Sequence, residues 1–546
     1  MSGTPGRVGA RQLIETVADP GTWRSWDEPV AVTAGDPDYR ADLERARART
    51  GLDESVVSGE GRVEGRRVAV VVGEFGFLGG SIGVAAGERL VRAVERATRE
   101  RLPLLAAPAS GGTRMQEGTI AFLQMVKVAA AITEHKAAGL PYLVYLRHPT
   151  TGGVLASWGS LGHVTAAEPG ALIGFLGPRV HQALYGEEFP AGVQTAENLL
   201  AHGLVDAVLP AEQLAEVTAR ALRVLSADAA EAGGSAPAAE PGAGGPEYGP
   251  VGVPSAEESI RRSRRPERPG IRALLRATAE DVTPLSGTGA GEHDPGLLLA
   301  LARVGGTPCV VLGHDRDGRH PADGPGQALG PAGLRTARRG MRIAAELGLP
   351  LLTVVDTAGA ALSREAEEGG LAGEIARCLA DMVTLPAPTL CLLLGQGAGG
   401  AALALLPADR VLAARHAWLS PLPPEGASAI LYRTTDRAYE IAGRQGVRSA
   451  DLLAHGIVDR IVEEDARERE QHARERGDDG PERGDDARER GDGGPERGDD
   501  GPESPTGFLA RLGRALGAEL ADLRAQDEGE RLAARRARHR AIGLPG

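Results

Sequence analysis

Short apolar runs alternate with amphipathic segments along most of the chain. Residues 88–101 and 121–138 have the periodicity of helices, and residues 1–60 predict a helical lead-in. Three apolar runs bounded by turn residues predict buried strands: 66–75 (RRVAVVVGEF), 103–109 (PLLAAPA) and 141–146 (PYLVYL). Because strands alternate with helices, the pattern predicts an α/β fold.

Two stretches interrupt this pattern. Residues 226–254 are rich in Ala, Gly, Pro and Glu and predict a flexible linker. Residues 464–505 repeat variants of ERGDDGP with almost no apolar positions, which predicts a disordered, charged segment. The stretches delimit a first domain at 1–225 and a second at 255–463. Residues 506–546 follow, and one amphipathic helix predicted within them is expected to pack its apolar stripe on the body or on a partner subunit.

The two predicted domains repeat each other. LLAHGLVDAVL at 199–209 and LLAHGIVDRIV at 452–462 share seven of eleven positions. The repeat also relates two pairs of glycine turns, each 247 residues apart: Ser110-Gly111-Gly112 with Thr357-Ala358-Gly359, and Gly152-Gly153 with Gly399-Gly400. The sequence therefore predicts two homologous α/β domains in tandem.

Composition narrows the function classes. A net charge of −13 disfavours a nucleic-acid-binding protein, because phosphate binding needs a basic surface. The cysteines Cys309, Cys378 and Cys391 lack the spacing of a zinc site or a disulfide framework, so no metal and a cytoplasmic location are expected. Lys127 and Lys136 are the only lysines, and neither lies in a Schiff-base setting. No apolar run is long enough to predict a membrane span.

Two short motifs suggest other enzymes. Residues 395–400 (GQGAGG) match the dinucleotide-binding spelling, but Asp409 comes too early to be the ribose ligand. Residues 79–83 (GGSIG) match the nucleophile elbow of serine hydrolases, but the elbow needs its serine at the tip of a strand, and here Gly73 to Leu78 intervene after the strand. We expect neither activity.

The paired glycine turns are the stronger signal. Glycine lets neighbouring backbone N–H groups converge on one point, and two such groups at a helix start can stabilise a negatively charged oxygen. A single glycine pair is usually a structural turn. Two pairs in duplicated register, each with an upstream partner turn, favour a reaction that develops two oxyanions.

The residues around these turns resemble a known family. FGFLGGSIG, SGGTRMQEG and PTTGGVLASW resemble the β subunit of bacterial acetyl-CoA carboxylase carboxyltransferase, over residues 36–225. ARVGGTPCVVLGHDR, GLPLLTVVDTAGA and GQGAGGAALAL resemble the α subunit, over residues 255–465. The chain thus resembles a β–α fusion, which implies two crotonase-like domains of the ClpP/crotonase superfamily.

This resemblance implies an activity and partners. A carboxyl group would pass from carboxybiotin on a biotin carboxyl carrier protein, charged by a biotin carboxylase, to acetyl-CoA or a related short acyl-CoA. The product would be malonyl-CoA for fatty acid or polyketide synthesis. In this family the active site forms between the N-half of one protomer and the C-half of another, which implies a homo-oligomer, a dimer or larger.

The resemblance also implies roles for the turns. Gly152 and Gly153 would hold the thioester enolate oxygen, and Gly400 and Ala401 the ureido oxygen of biotin. The resemblance further implies which residues lie near the substrates. These are Ser110, Gly111 and Gly112 on the CoA side, and Gly359 and Gly399 on the biotin side. Arg114 is a candidate ligand for a phosphate or carboxylate, although a structural salt bridge is the favoured alternative.

The chain departs from the family in three places. It has no cysteine before Cys309, so the zinc ribbon that commonly begins the β subunit is absent. Residues 356–363 read DTAGAALS where the α subunit has D-T-P-G-A-Y-P-G, and the S-P-E-G motif is split across 420–426. These changes leave two alternatives open: a biotin-dependent acyl-CoA decarboxylase subunit, and a diverged non-catalytic scaffold.

Overall fold

The computed structural model describes residues 8–30, 36–175, 181–182, 186–226, 252–318, 328–464 and 505–542. Nearly all of the predicted linker at 226–254 and of the predicted charged repeat at 464–505 lies outside these residues, so the domain boundaries drawn there stay predictions.

Helices and strands alternate as the sequence predicts. The helices are α1 Ala10–Val17, α2 Pro37–Thr50, α3 Val84–Arg99, α4 Gly118–Ala137, α5 Ala196–Ala201, α6 Leu214–Leu225, α7 Ala256–Ser263, α8 Ile271–Thr278, α9 Pro331–Leu347, α10 Arg364–Glu368, α11 Leu371–Thr384, α12 Gly399–Leu405, α13 Pro424–Tyr432, α14 Ala438–Gln445, α15 Ser449–Ala454, α16 Pro505–Ala525 and α17 Glu528–Ala541. The strands of the N-half are β1 Arg24–Ser25, β2 Val56–Val63, β3 Arg66–Gly73, β4 Leu104–Ala107, β5 Tyr142–Leu146, β6 Thr150–Thr151, β7 Val164–Ala167, β8 Ile173–Gly174 and β9 Ala207–Val208. The strands of the C-half are β10 Ala279–Leu285, β11 Leu297–Val304, β12 Thr307–His314, β13 Leu351–Thr357, β14 Thr389–Ala398, β15 Arg410–Ala414, β16 Trp418–Ser420 and β17 Arg460–Val462.

Each half is built on one sheet, and the two sheets have the same plan. The N-half sheet has the order β1-β2-β3-β4-β5-β7-β9, and the C-half sheet has the order β10-β11-β12-β13-β14-β15-β17. In both, the first three strands pair antiparallel and the later ones pair parallel. The predicted tandem of two like α/β domains is confirmed.

The halves share one continuous core. Leu222 and Leu225 of α6 belong to the same buried cluster as Leu301 of β11 in the C-half. At the edge of this contact the Arg223 guanidinium lies 2.8 Å from an Asp281 carboxylate oxygen. The apolar face of α6 therefore packs against both halves and holds the N-half next to the C-half sheet.

The predicted lead-in and the predicted C-terminal helix both differ from expectation. Residues 1–60 contain the helices α1 and α2, but β1 and the start of β2 also lie there. The single helix expected over 508–540 is two helices, which break at Gln526 and Asp527. The Asp527 carboxylate accepts a hydrogen bond from the N–H of Glu530 (3.0 Å) and so begins a new helix.

The two C-terminal helices attach to the C-half by different means. Helix α16 buries an apolar stripe that includes Leu512, Leu516 and Leu520. Helix α17 instead docks through arginines: Arg535 is buried, and its guanidinium donates to both carboxylate oxygens of Asp409 (2.7 and 2.6 Å). The predicted docking on the body is found, although half of it depends on charge.

Candidate active site at two paired glycine turns

The first turn of the N-half follows strand β4. The Ser110 hydroxyl oxygen accepts a hydrogen bond from the N–H of Gly112 (3.0 Å), while the N–H of Gly111 donates to the carbonyl of Gly79 (2.8 Å). Gly112 has a φ of 109°, which favours glycine. The N–H groups of Gly111 and Gly112 are therefore occupied by the protein itself, so this turn shapes the site rather than donating to a ligand.

The second turn lies directly against the first. A Cβ built on Gly112 would lie 3.6 Å from the backbone nitrogen of Gly153, and one built on Gly152 would lie 3.4 Å from the Cα of Gly112. These are ordinary van der Waals distances, so the two turns are in contact, and the positive φ of both glycines is what disfavours a side chain at either position. The two N-half turns are thus in close backbone contact.

The amides at 152–154 differ in availability. The N–H of Gly152 donates to the carbonyl of Phe175 (2.9 Å), so Gly152 is not the free donor that was expected. Its φ of 63° instead turns the chain. The N–H groups of Gly153 and Val154 have no acceptor among the residues that the structure describes. Val154, which the sequence did not single out, replaces Gly152 as the second potential donor.

The expected helix after Gly153 is a run of turns. The N–H of Ala156 donates to the carbonyl of Gly152 (3.1 Å), and the N–H of Gly159 donates to the carbonyl of Val154 (2.9 Å). This backbone winds like the start of a helix without forming a regular one. The N–H groups of Gly153 and Val154 at its beginning are without an acceptor among the described residues, as the first N–H groups of a helix are.

The C-half repeats this geometry. The Thr357 hydroxyl oxygen accepts a hydrogen bond from the N–H of Gly359 (3.0 Å), as Ser110 does for Gly112. Gly399 has a φ of 66°, against 63° for Gly152. The two halves therefore resemble each other at these turns in the hydrogen bond of the first turn and in the backbone angle φ of the second, as well as in sequence.

A regular helix begins at the second C-half turn. Helix α12 starts at Gly399, and the N–H groups of Gly400 and Ala401 lie in its first turn, where they have no acceptor within the helix. Two N–H groups in this arrangement can donate to an anionic oxygen.

One aliphatic side chain packs beside the second glycine turn of each half. A Cβ at Gly153 would lie 3.2 Å from Cγ of Met125 on α4, and a Cβ at Gly400 would lie 2.6 Å from Cδ1 of Ile375 on α11. Met125 and Ile375 thus occupy equivalent places in the two halves. They limit the space beside the amides, and sequence reasoning missed both because nothing in their spacing marks them.

Arg114 belongs to the structure of the N-half and not to its open surface. Its side chain is fully buried, and the guanidinium pairs with both carboxylate oxygens of Glu54. It also donates to the carbonyl of Ser81 (2.8 Å). The favoured alternative, a structural salt bridge, is what the structure shows, and Arg114 does not reach a substrate in this conformation.

The two suggestive motifs have structural explanations. Gly395 and Gly397 lie inside β14, where a Cβ would come within 2.3 Å of the Asp356 carboxylate and 2.7 Å of the Trp418 carbonyl. The Ser81 hydroxyl donates to the carbonyl of Leu78 (2.8 Å) after a short 3-10 turn. The geometry supports neither a dinucleotide-binding turn nor a nucleophile elbow.

Two ionisable groups next to the C-half turns, His314 and Asp356, are buried. Burial lowers the pKa of His314, beneath α12, to about 4, which leaves the imidazole neutral at pH 7. Burial also raises the pKa of Asp356, although the charge of Arg316 opposes this. Chemistry at the turns therefore depends on backbone N–H groups.

Several large apolar side chains are exposed on the chain segments that carry or follow the turns. In the N-half they are Met115, Ile120, Phe122, Leu123, Val126 and Phe175. In the C-half they are Leu362, Leu403, Leu422, Ile430 and Leu431. The three heavy atoms nearest to a Cβ on Gly153, and the three nearest to a Cβ on Gly400, belong to that glycine's own half. Apolar surface of this extent marks a contact with another molecule.

Within the described residues, no helix is long and apolar enough to cross a membrane, and no group of three or more His, Cys, Asp or Glu side chains is arranged to hold a metal ion.

These turns and sheets define a carboxyl transferase domain. Residues 4–479 match the carboxyl transferase domain family, and the chain belongs to that family. A similar relative is the probable biotin-dependent acyl-coenzyme A carboxylase beta3 subunit of Mycobacterium tuberculosis, 58% identical over 99% of both chains. The acetyl-coenzyme A carboxylase carboxyl transferase subunits beta/alpha of Salinispora arenicola are 40% identical over 85% of this chain and 84% of that protein.

Solved structures agree on the fold. Transcarboxylase 12S, described as a hexamer with methylmalonyl-coenzyme A and methylmalonic acid bound, has a TM-score of 0.66 at 21% identity and covers 89% of this chain and 93% of its own. A single-chain, multi-domain long-chain acyl-CoA carboxylase has a TM-score of 0.64 at 18% identity, over 85% of this chain and 45% of that one. Two crotonase-like domains in tandem, as predicted, are the architecture of this chain.

Proposed function

We propose that this chain is the carboxyltransferase subunit of a biotin-dependent acyl-CoA carboxylase, with acetyl-CoA or a related short acyl-CoA as substrate. The supporting observation is the duplicated site: each half has two backbone N–H groups at the start of a turn without an acceptor in that turn. Two developing oxyanions need two such donor pairs. The relatives named above are described as acyl-CoA and acetyl-CoA carboxylase subunits.

The N–H groups of Gly153 and Val154 would hold the thioester oxygen while the α-carbon loses its proton. Those of Gly400 and Ala401 would hold the ureido oxygen of biotin, which supplies the carboxyl group when its carrier protein brings it to the site. The new C–C bond would form at the α-carbon as the carboxyl group leaves the biotin nitrogen, which takes up the proton. No side-chain base is needed.

The partners of the chain follow from this reaction. A biotin carboxyl carrier protein and a biotin carboxylase would complete the enzyme, and malonyl-CoA would feed fatty acid or polyketide synthesis in the cytoplasm. A second copy of the chain would cover the exposed apolar side chains around Gly153 and Gly400, so that the N-half turns of one protomer face the C-half turns of another. A homo-oligomer would thereby complete each active site.

An ATP-driven assay tests the proposal. The chain is combined with its biotin carboxylase, biotinylated carrier, bicarbonate and either acetyl-, propionyl- or butyryl-CoA, and the carboxylated product is measured. We expect ATP-dependent formation of malonyl-CoA or its homologue. Decarboxylation of malonyl-CoA without any ATP-driven carboxylation would identify a decarboxylase. No turnover in either direction would identify a non-catalytic scaffold.

A further inference from the structure

One arginine side chain joins three segments of the C-half. Arg264 lies at the end of α7, and its Nε donates to the side-chain oxygen of Gln396 (3.1 Å). Its Nη1 and Nη2 donate to the two carboxylate oxygens of Glu425 (2.6 and 3.1 Å). The guanidinium also lies 5.9 Å from the ring centroid of Trp418. Arg264 thus links β14, α13 and β16.

These three segments border the free amides of the C-half. Strand β14 runs through Gln396 and ends at Ala398, just before α12. Strand β16 pairs with this end, with Gln396 opposite Trp418. Beyond β16, the carbonyl of Pro421 lies 3.6 Å from where a Cβ on Gly399 would be. The position of the segment 418–425 therefore sets one side of the turn.

The contacts of Arg264 extend to the first C-half turn. The N–H of Gln396 donates to the Asp356 carboxylate (3.0 Å), which precedes Thr357. A continuous series of polar contacts therefore runs from Asp356 through Gln396 and Arg264 to Glu425. Arg264 lowers the pKa of Glu425, although burial opposes the shift, so the carboxylate stays ionised and paired.

We propose that Arg264 is a positioning residue that fixes the amides of Gly400 and Ala401 relative to the wall formed by 418–425. This inference rests on the proposed function, because it assigns Arg264 to the biotin side of that site. It also accounts for the split motif at 420–426, since Arg264 holds Glu425 in place despite the three extra residues. A guanidinium can make all three contacts at once, whereas a lysine cannot.

The test compares Arg264→Ala with a matched control, Arg338→Ala. The Arg264–Glu425 pair is 32% and 39% exposed, and the Arg338–Asp381 pair is 35% and 39% exposed, so both variants lose an ion pair in similar surroundings. Transfer of the carboxyl group from malonyl-CoA to free D-biotin is measured with each substrate varied in turn. We expect Arg264→Ala to lower kcat/KM for biotin by about 10- to 100-fold while leaving KM for malonyl-CoA unchanged. Arg338→Ala should leave both unchanged.

Two further variants separate positioning from folding. Arg264→Lys should restore only a small part of the activity that Arg264→Ala loses. The double variant Arg264→Glu, Glu425→Arg, which exchanges the two charges, should be more active than either of its single variants. If Arg264→Ala impaired the KM for biotin and the KM for malonyl-CoA equally, or if it did not lower kcat/KM for biotin, the inference would be overturned.

Failure of the proposed function gives a different result. If the wild-type chain does not transfer a carboxyl group between malonyl-CoA and biotin, amide hydrogen exchange at 397–402 decides the role of Arg264. Faster exchange there in Arg264→Ala, with no change at 152–156, supports the positioning role. Unchanged exchange at 397–402 contradicts it.

Discussion

Arg339 and Asp206 join the two halves through a two-point ion pair that is shielded from water. Nη1 and Nη2 of Arg339 lie 2.8 and 2.9 Å from the two carboxylate oxygens of Asp206, and the side chains are 8% and 2% exposed. The same guanidinium donates to the carbonyls of Ser286, Gly287 and His163. Almost all of its donors are therefore used at the contact between the halves.

Removal of this arginine should destabilise the protein strongly. Arg339→Ala leaves a buried carboxylate without its partner, which typically costs about 3–5 kcal/mol. Arg338→Ala, one residue earlier on α9, breaks a half-exposed pair and should cost about 1 kcal/mol or less. Thermal unfolding of both variants tests this difference. Equal melting temperatures would contradict a structural role for the buried pair.

Substitution at Gly153 should stop turnover without unfolding the chain. A valine there would press on Met125, whose Cγ already lies 3.2 Å from the Cβ position, and would block access to the free amide. Loss of one oxyanion donor usually lowers kcat by about 10²- to 10³-fold. The carboxylation assay measures the loss, and circular dichroism checks the fold.

A double variant then identifies the neighbour responsible. Gly153→Ala should lower activity less than valine does, and Met125→Ala in the same chain should recover part of the loss, because it removes the contact. If Met125→Ala had no effect on Gly153→Ala, the crowding at this turn would lie elsewhere.

Acidification below pH 6.5 should destabilise the folded chain. Burial lowers the pKa of His135 and of His314 to about 4, so both stay neutral in the folded protein. An unfolded histidine takes up a proton near pH 6.5. Their contribution to stability is therefore complete above about pH 6.5 and decreases toward pH 4, by about 1.4 kcal/mol per pH unit for each histidine.

Melting temperatures between pH 7.5 and 4.5 test this dependence. His135→Gln should flatten the curve, because one proton fewer is bound on unfolding. A slope that His135→Gln does not alter would show that other groups govern the acid response.

Charges on the apolar surfaces beside the turns should weaken self-association. Phe122 in the N-half and Ile430 in the C-half are 60% and 61% exposed. Phe122→Glu and Ile430→Glu should each lower the molecular mass in light scattering and lower activity together. Ile542→Glu changes an exposed residue at the end of α17, the helix that docks on Asp409, and should do neither. A monomeric wild-type chain with full activity would exclude completion of the site by a second copy.

Much of the fold and the location of the turns could be predicted from the sequence. Strands and glycine turns are encoded by residues that are close together in the sequence. The duplication at a spacing of 247 residues therefore predicted that Gly152 and Gly399 have the same conformation, and their φ values do match. The hydrogen bonds from the Gly112 N–H to the Ser110 hydroxyl and from the Gly359 N–H to the Thr357 hydroxyl also join residues only two positions apart.

Features that depend on distant partners were not predicted. The N–H of Gly152 is occupied by the carbonyl of Phe175, which no local pattern reveals. Arg114 is neutralised by Glu54, sixty residues earlier. Met125 and Ile375 reach the turns only because their helices pack there. Such contacts follow from tertiary packing, which a single sequence without homologues does not specify.

The docking of α17 on Asp409 bears on how the chain can be divided for expression. A fragment that stops at 463, the end of the predicted second domain, would leave Asp409 without Arg531 and Arg535 and would uncover the surface on which Leu512 and Leu516 lie. The smallest recombinant piece that keeps the C-half intact therefore extends through Ala541.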